Sequence, residues 1–108
     1  MTEGEFAVLA EGALAALERA FEAGAPDADV QAKAEGVLEI EFEDGSKMII
    51  NRHAAAREIW VAARSGGYHF RYDGARWRDT RDGAEFFAAV SRLASEQAGA
   101  PVDLRPPG

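Results

Sequence analysis

Residues 37–72 form an almost unbroken run of strand-forming sequence, and that run restricts the chain to a few folds. It opens with VLEIEFEDGSKMIINR, continues through IWVAA at 59–63 and closes with GGYHFRY. Leu38, Ile40 and Phe42 alternate with Glu39, Glu41 and Glu43, so one strand face is apolar and the other acidic. Asp44-Gly45 marks a hairpin. A two-residue loop would pair Phe42 with Lys47 and set a lysine on the apolar face. The loop Glu43-Asp44-Gly45, with Gly45 in the left-handed region, pairs Ile40 with Met48, Leu38 with Ile50 and Glu41 with Lys47. The pattern predicts this second register. Further strands are expected at Glu58–Arg64, Tyr68–Tyr72 and Arg76–Asp79, with turns at Gly66-Gly67 and Asp73-Gly74. Ile59, Val61 and Ala63 share one face, which leaves Trp60 on the other.

Two helical stretches flank this block. Over residues 4–22, Phe6, Leu9, Ala13, Leu14, Leu17 and Phe21 recur at three- and four-residue steps as one apolar stripe. Glu11, Glu18 and Glu22 share a face away from it. Gly24 and Pro26 stop the helix, and Val30–Ala34 reads as an edge strand before a turn at Glu35-Gly36. Asp82 and Glu85 have capping-box spacing ahead of Phe86, Phe87, Val90, Leu93 and Ala94, and the second helix ends at Ala98-Gly99. Pro101–Leu104 is expected to pack as a short extended tail and residues 105–108 to be loose. Tight turns imply an antiparallel meander. The expectation is a single α+β domain over residues 1–108. It is a two-layer sandwich with the N- and C-terminal helices on one face of five or six antiparallel strands.

Charge is distributed unevenly. Residues 1–51 hold 12 acids against 3 basic residues, while residues 52–108 hold 7 acids and 9 arginines. The first half therefore disfavours nucleic acid and favours cations or a basic protein surface. A merely solvated acidic face explains the same residues equally simply. With no cysteine in the chain, disulfides, thiolate metal sites and cysteine nucleophiles are excluded. The start, MTEGEFAVLAEG, lacks the basic region of a secretory signal, and no apolar run approaches the ~20 residues that span a bilayer. A cytoplasmic location without membrane contact is expected. His53 and His69 lie in different elements without helical ligand spacing, and no serine has a neighbouring base. There is no phosphate-cradling glycine loop and no Asp-x-Asp-x-Asp-Gly calcium loop. Carboxylates are the main chemical resource, and crowded carboxylates are relieved by hard cations. A tryptophan left on an open sheet face suits a protein interface.

DGSKMIINR at 44–52, IWVAA at 59–63 and GGYHF at 66–70 closely resemble bacterial frataxins. The opening EFxxLA at 5–10 and Gln97-Ala98-Gly99 extend the resemblance over nearly the whole chain. The resemblance implies a frataxin-like fold and a non-enzymatic role in iron–sulfur cluster assembly. It implies an acidic ridge that weakly binds ferrous and ferric iron, with no organic cofactor. That ridge would also dock on a basic patch of the cysteine desulfurase that feeds the scaffold protein. Carried over by position, the iron ridge maps to Glu18, Glu22, Asp27, Asp29 and Glu43. The partner surface maps to Glu11, Glu18, Glu22, Glu39 and Glu41 together with Asn51, Trp60 and His69. Arg19, Ala20, Ala23, Gln31 and Lys33 stand where such proteins are usually richer in acids. Glu58 stands where glutamine is frequent, and Glu39 and Glu41 where threonine is; these last two move negative charge toward the sheet. Two alternatives accompany this reading. One is an adaptor that binds the complex without metal. The other is a ferroxidase, which would need carboxylate and histidine pairs on facing helices that neither helix supplies.

Overall fold

The computed structural model describes residues 1–106. The first helix, α1 (Glu3–Gly24), starts at a complete capping box. The Thr2 hydroxyl accepts from the Glu5 amide while the Glu5 carboxylate accepts from the Thr2 amide. Six strands follow: β1 (Asp29–Ala34), β2 (Val37–Glu41), β3 (Lys47–His53), β4 (Glu58–Ala63), β5 (Gly66–Tyr72) and β6 (Trp77–Asp79). The last element is α2 (Phe86–Ala98), ended by Gly99 in the left-handed conformation. The strands pair antiparallel in sequence order, β1 to β6, as a plain meander. This is the expected α+β sandwich, with two helices packed on a six-stranded antiparallel sheet.

The hairpin register is the one that the apolar alternation predicts. Leu38 opposes Ile50, Ile40 opposes Met48 and Glu41 opposes Lys47. The Phe42 amide donates to the Ser46 carbonyl across the loop, and Gly45 takes a φ of +83° that a side chain would strain. Everything on one sheet face follows from this register. Leu38, Ile40, Met48, Ile50, Ile59, Val61 and Phe70 are all buried against Phe6, Leu17 and Phe21 of α1 and Phe86, Val90 and Leu93 of α2. Each such side chain contributes about 1.5–3 kcal/mol by leaving water. Aromatic edges lock the layers where the helices meet the later strands. Phe6 meets Trp77 at 5.9 Å and Phe70 meets Phe86 at 5.1 Å, both edge-on.

Local details differ from expectation at two places. Gly66-Gly67 is not a turn but the start of β5, where Gly66 pairs with Ala63 and Gly67 with Ala62. The turn lies at Arg64-Ser65, because β4 and β5 continue pairing as long as backbone partners exist. Nor does α2 begin at Asp82. Asp82 accepts from the Ala84 amide inside a turn, and Glu85 caps the helix by accepting from Phe87 and Ala88. A bridge from Arg78 to Glu85 holds residues 80–85 against β6, which delays the helix. The tail 101–104 packs as expected. Leu104 is buried, and the amides of Val102 and Leu104 donate to the Ser95 and Ser91 hydroxyls of α2. The expected loose end at 105–108 falls partly outside the described residues. Among the described residues no helix is long and apolar enough to cross a membrane.

Gln97 is the main buried polar link between α2 and the sheet. Its Oε1 accepts from the Arg64 amide at 3.2 Å, and its Nε2 donates to the Lys47 carbonyl at 3.2 Å and the Ser46 hydroxyl at 3.1 Å. Replacing it by alanine leaves part-buried backbone groups without this partner beside two turns at once. Gln97→Ala is expected to cost about 2 kcal/mol, read as a lower urea midpoint with an unchanged slope. A loss under ~0.5 kcal/mol would show that water replaces the amide freely.

Candidate functional site

The acids of the first half are sorted by which cations the fold brings to them. Arg52 of β3 reaches under the β1–β2 turn, where its guanidinium meets Glu11 of α1 and, at 3.1 Å, Glu35. Its stem lies against Gly36, where a β-carbon would sit 2.8 Å from the Arg52 side chain. The two carboxylates hold the guanidinium pKa above its usual value. Glu39 receives Lys33 at 3.5 Å and Lys47 at 3.7 Å. Lys47 stands opposite Glu41 as the register demands, yet its amine turns to Glu39, so the expected Glu41–Lys47 ion pair does not form. Asp44 is held by Arg64 and by the Ser46 hydrogen bond, which with Arg64 brings its pKa down to about 2.

Among the described residues, Glu18, Glu22, Asp27, Asp29, Glu41 and Glu43 make no ion pair. They run from the C-terminal half of α1 through β1 to the β2–β3 hairpin. Asp29 and Glu41 are direct cross-strand partners of like charge, a destabilising arrangement. Asp27 and Glu43 line one cleft of about 190 Å³ with Pro26, Phe42 and Pro101. Among the described residues no three of His, Asp or Glu converge as a ready-made metal cluster. A cation on this flank would be ligated by one or two carboxylates, with water completing its shell.

The outer face of the sheet carries a second arrangement. Cross-strand register sets Asn51, Trp60 and His69 in one row and His53, Glu58 and Arg71 in the next. The Trp60 indole lies flat between two imidazoles, with His53 at 3.8 Å and His69 at 4.5 Å, rings within 14° of parallel. Trp60 is therefore half-buried rather than an open anchor. Both ring faces are covered, and a partner meets its edge and the outer imidazole faces. Glu58, only 6% exposed, organises the stack. It accepts from Trp60 Nε1 at 2.8 Å and from Arg71 at 2.7 Å, with His69 Nδ1 at 3.6 Å. Burial pushes the Glu58 carboxyl up, but the Trp60 and Arg71 hydrogen bonds and the Arg71 and His69 charges outweigh it and hold it below the usual range. Across this face the charge runs from acidic at β1 and β2 to basic at Arg71 and Arg78.

Asn51, Trp60 and His69 thus meet as a patch, separate from the acidic flank. Sequence reading missed His53, Glu58 and Arg71 beside them, and Arg52 beneath the flank. The signal for the first three is the same two-residue alternation, followed diagonally across β3, β4 and β5. Arg52 has no comparable signal, because its partners are 41 and 17 residues away.

Small grooves, an exposed carboxylate flank and an aromatic patch on an open sheet are the main surface features that the fold presents. A frataxin-like domain model matches residues 1–100. The iron-sulfur cluster assembly protein CyaY of Dechloromonas aromatica is 58% identical over 105 residues, covering 97% of this chain and 100% of that protein. The protein of the same name from Cupriavidus metallidurans is 52% identical, covering 97% of each chain. Among solved structures, frataxin from Psychromonas ingrahamii superposes with a TM-score of 0.86 at 32% identity, over 95% of this chain and 97% of that one. The trimeric yeast frataxin from Saccharomyces cerevisiae shares the fold, with a TM-score of 0.65 at 22% identity over 92% of this chain and 88% of its own. The chain belongs to the frataxin family.

Because the Glu58 pKa is depressed in the folded state, its contribution is present above the ordinary carboxyl range and lost as pH falls below it. Acidification below about pH 4.5 is expected to shift the Trp60 indole N–H resonance and lower stability together. Asp44 and Asp73, both held to about 2, titrate in the same window, so stability falls further toward that pH. Glu58→Gln keeps an acceptor for Trp60 and is expected to cost about 1 kcal/mol, against about 3 kcal/mol for Glu58→Ala. An indole resonance that titrates unchanged in Glu58→Gln would assign the transition to other carboxylates.

Proposed function

We propose that this protein is an iron-binding regulator of iron–sulfur cluster assembly that works by docking rather than by catalysing a reaction of its own. The observation that carries the reading is the set of acids left without cations while their neighbours are neutralised from within. Glu18, Glu22, Asp27, Asp29 and Glu43 are hard oxygen donors suited to ferrous and ferric iron, held weakly as cargo. Their exposure suits transfer, since a cation with few protein ligands leaves easily. The role in cluster assembly comes from the full-length relatives, which carry that name.

The same flank suits a basic patch on the cysteine desulfurase. Glu18, Glu22 and Glu41 carry that contact in this reading. Glu11 and Glu39 contribute only where their internal pairs with Arg52 and the lysines open. Asn51, Trp60 and His69 form a second contact face toward the scaffold protein of the complex. Dispersed carboxylates suit a basic protein surface as well as a cation, so a metal-independent adaptor is the second reading.

Titration with Fe(II) or a trivalent lanthanide is expected to perturb amides near Glu18, Glu22, Asp27, Asp29 and Glu43. Shifts scattered outside residues 11–44 would overturn the iron assignment. Binding to the desulfurase is expected to weaken about tenfold or more on combining Glu18→Lys with Glu22→Lys, and to weaken in salt. Retention of affinity in that double variant would end the docking model. Affinity identical with and without iron would favour the adaptor.

A further inference from the structure

The two edges of the sheet are finished differently. At one end β6 is covered, since the Asp79 amide donates to the Ala84 carbonyl and Arg78 bridges to Glu85. At the other end β1 pairs with β2 alone and is exposed along its length except at Val30. Its one lysine, the usual guard of an open edge, is drawn over the outer sheet face by Glu39. A bulge between Ala32 and Ala34 closes off only the last part of the strand. The backbone from Asp29 to Ala32 is open to a further strand.

Beside this edge runs a groove of about 240 Å³ between α1 and the first two strands. Leu14, Ala15, Ala32, Ala34 and Leu38 form its walls, and Glu11, Glu18 and Glu35 its rim. Ala32 and Ala34 of β1 line the groove together with Leu14 and Ala15 of α1. At one end the protein shows what the rim accepts. The Arg52 stem lies against Gly36 and its guanidinium meets both Glu11 and Glu35. Toward the other end Glu18 is half-buried in the same groove and, among the described residues, has no cation. One acidic position is filled from within and the other is left open.

We propose, resting on the reading of the acidic flank as a docking face for a basic protein, that β1 and this groove take an extended arginine-bearing segment of the partner as a seventh strand. Backbone hydrogen bonds to Asp29–Ala32 set its direction and register. Alternate side chains then point into the groove. There an arginine lays its aliphatic stem on Ala15 and Ala32 and carries its guanidinium to Glu18, repeating from outside the contact Arg52 makes from inside. The intervening side chains face Asp29 and Glu41 on the outer side. Arginine is preferred over lysine, because the planar fork matches a carboxylate and the guanidinium gives up its water more readily than an ammonium does.

The probe is the peptide Ac-Thr-Arg-Thr-Arg-Thr-Arg-NH2 with two analogues, each N-methylated on one alternating set of amides. In an added strand only one set faces β1. One analogue is therefore expected to lose affinity by about tenfold or more while the other binds like the parent. The parent is expected to slow hydrogen exchange in residues 29–32. Ala15→Leu, on the exposed side of α1, fills the groove and is expected to weaken binding without changing stability. Equal behaviour of the two analogues, or unchanged affinity in Ala15→Leu, would reduce the interaction to charge and overturn strand addition. A desulfurase sensitive to Glu18→Lys with Glu22→Lys but indifferent to Ala15→Leu overturns strand addition while leaving the docking reading standing. Peptide binding as expected, with no desulfurase binding at all, overturns the docking reading alone.

Discussion

A slip of one residue in the β2–β3 hairpin would turn this sheet inside out. The side-chain period of a strand is two, so any odd shift sends Met48 and Ile50 to solvent and Lys47 and Ile49 to the helices. Two features prevent it. Gly45 takes a left-handed conformation that fits the Glu43-Asp44-Gly45 loop, and Leu38, Ile40, Met48 and Ile50 gain their burial only in this pairing. The remaining strands inherit the register through short turns, so the hairpin sets which residues reach the outer face at β5 as well as at β2. Both candidate patches depend on it. The acidic flank needs Asp29 beside Glu41, and the aromatic stack needs Asn51, Trp60 and His69 in one row.

Given that register, the reactivity of the acidic flank is decided by a few cations. Arg52, Lys33 and Lys47 neutralise Glu11, Glu35 and Glu39 by ion pairs within the chain. The negative field is thereby narrowed to the end of α1, the start of β1 and the hairpin. Glu39 and Glu41, adjacent in composition, have opposite fates, because the lysine amines converge on Glu39 and leave Glu41 exposed. A uniform acidic ridge becomes a groove with one occupied and one open carboxylate position.

The aromatic patch is built on a different principle. Two imidazoles cover the faces of Trp60, and a buried carboxylate holds its indole N–H. The ring is thus rigid before any partner arrives, which lowers the entropy lost on docking. Glu58 links this rigidity to charge, since the Trp60 and Arg71 hydrogen bonds hold it ionised on an otherwise open sheet face.

The sequence by itself determined the layers, the meander, the hairpin register and the outward side of Trp60. All of these rest on short-range alternation and turn chemistry, which a linear reading can follow. It also located the acidic half, while the family resemblance carried over Asn51, Trp60 and His69, which the register sets in one row. Element ends were harder to read. Gly66-Gly67 is strand and Asp82 is loop because β4 pairing and the Arg78–Glu85 bridge override local signals. Only the tertiary structure decided which acids stay uncompensated, that Trp60 is sandwiched rather than bare, and that a groove lies beside the β1 edge. The physical reason is distance along the chain. Arg52 reaches Glu11 across 41 residues and Glu35 across 17. A charge or ring becomes available to a partner only after the fold has chosen its neighbours.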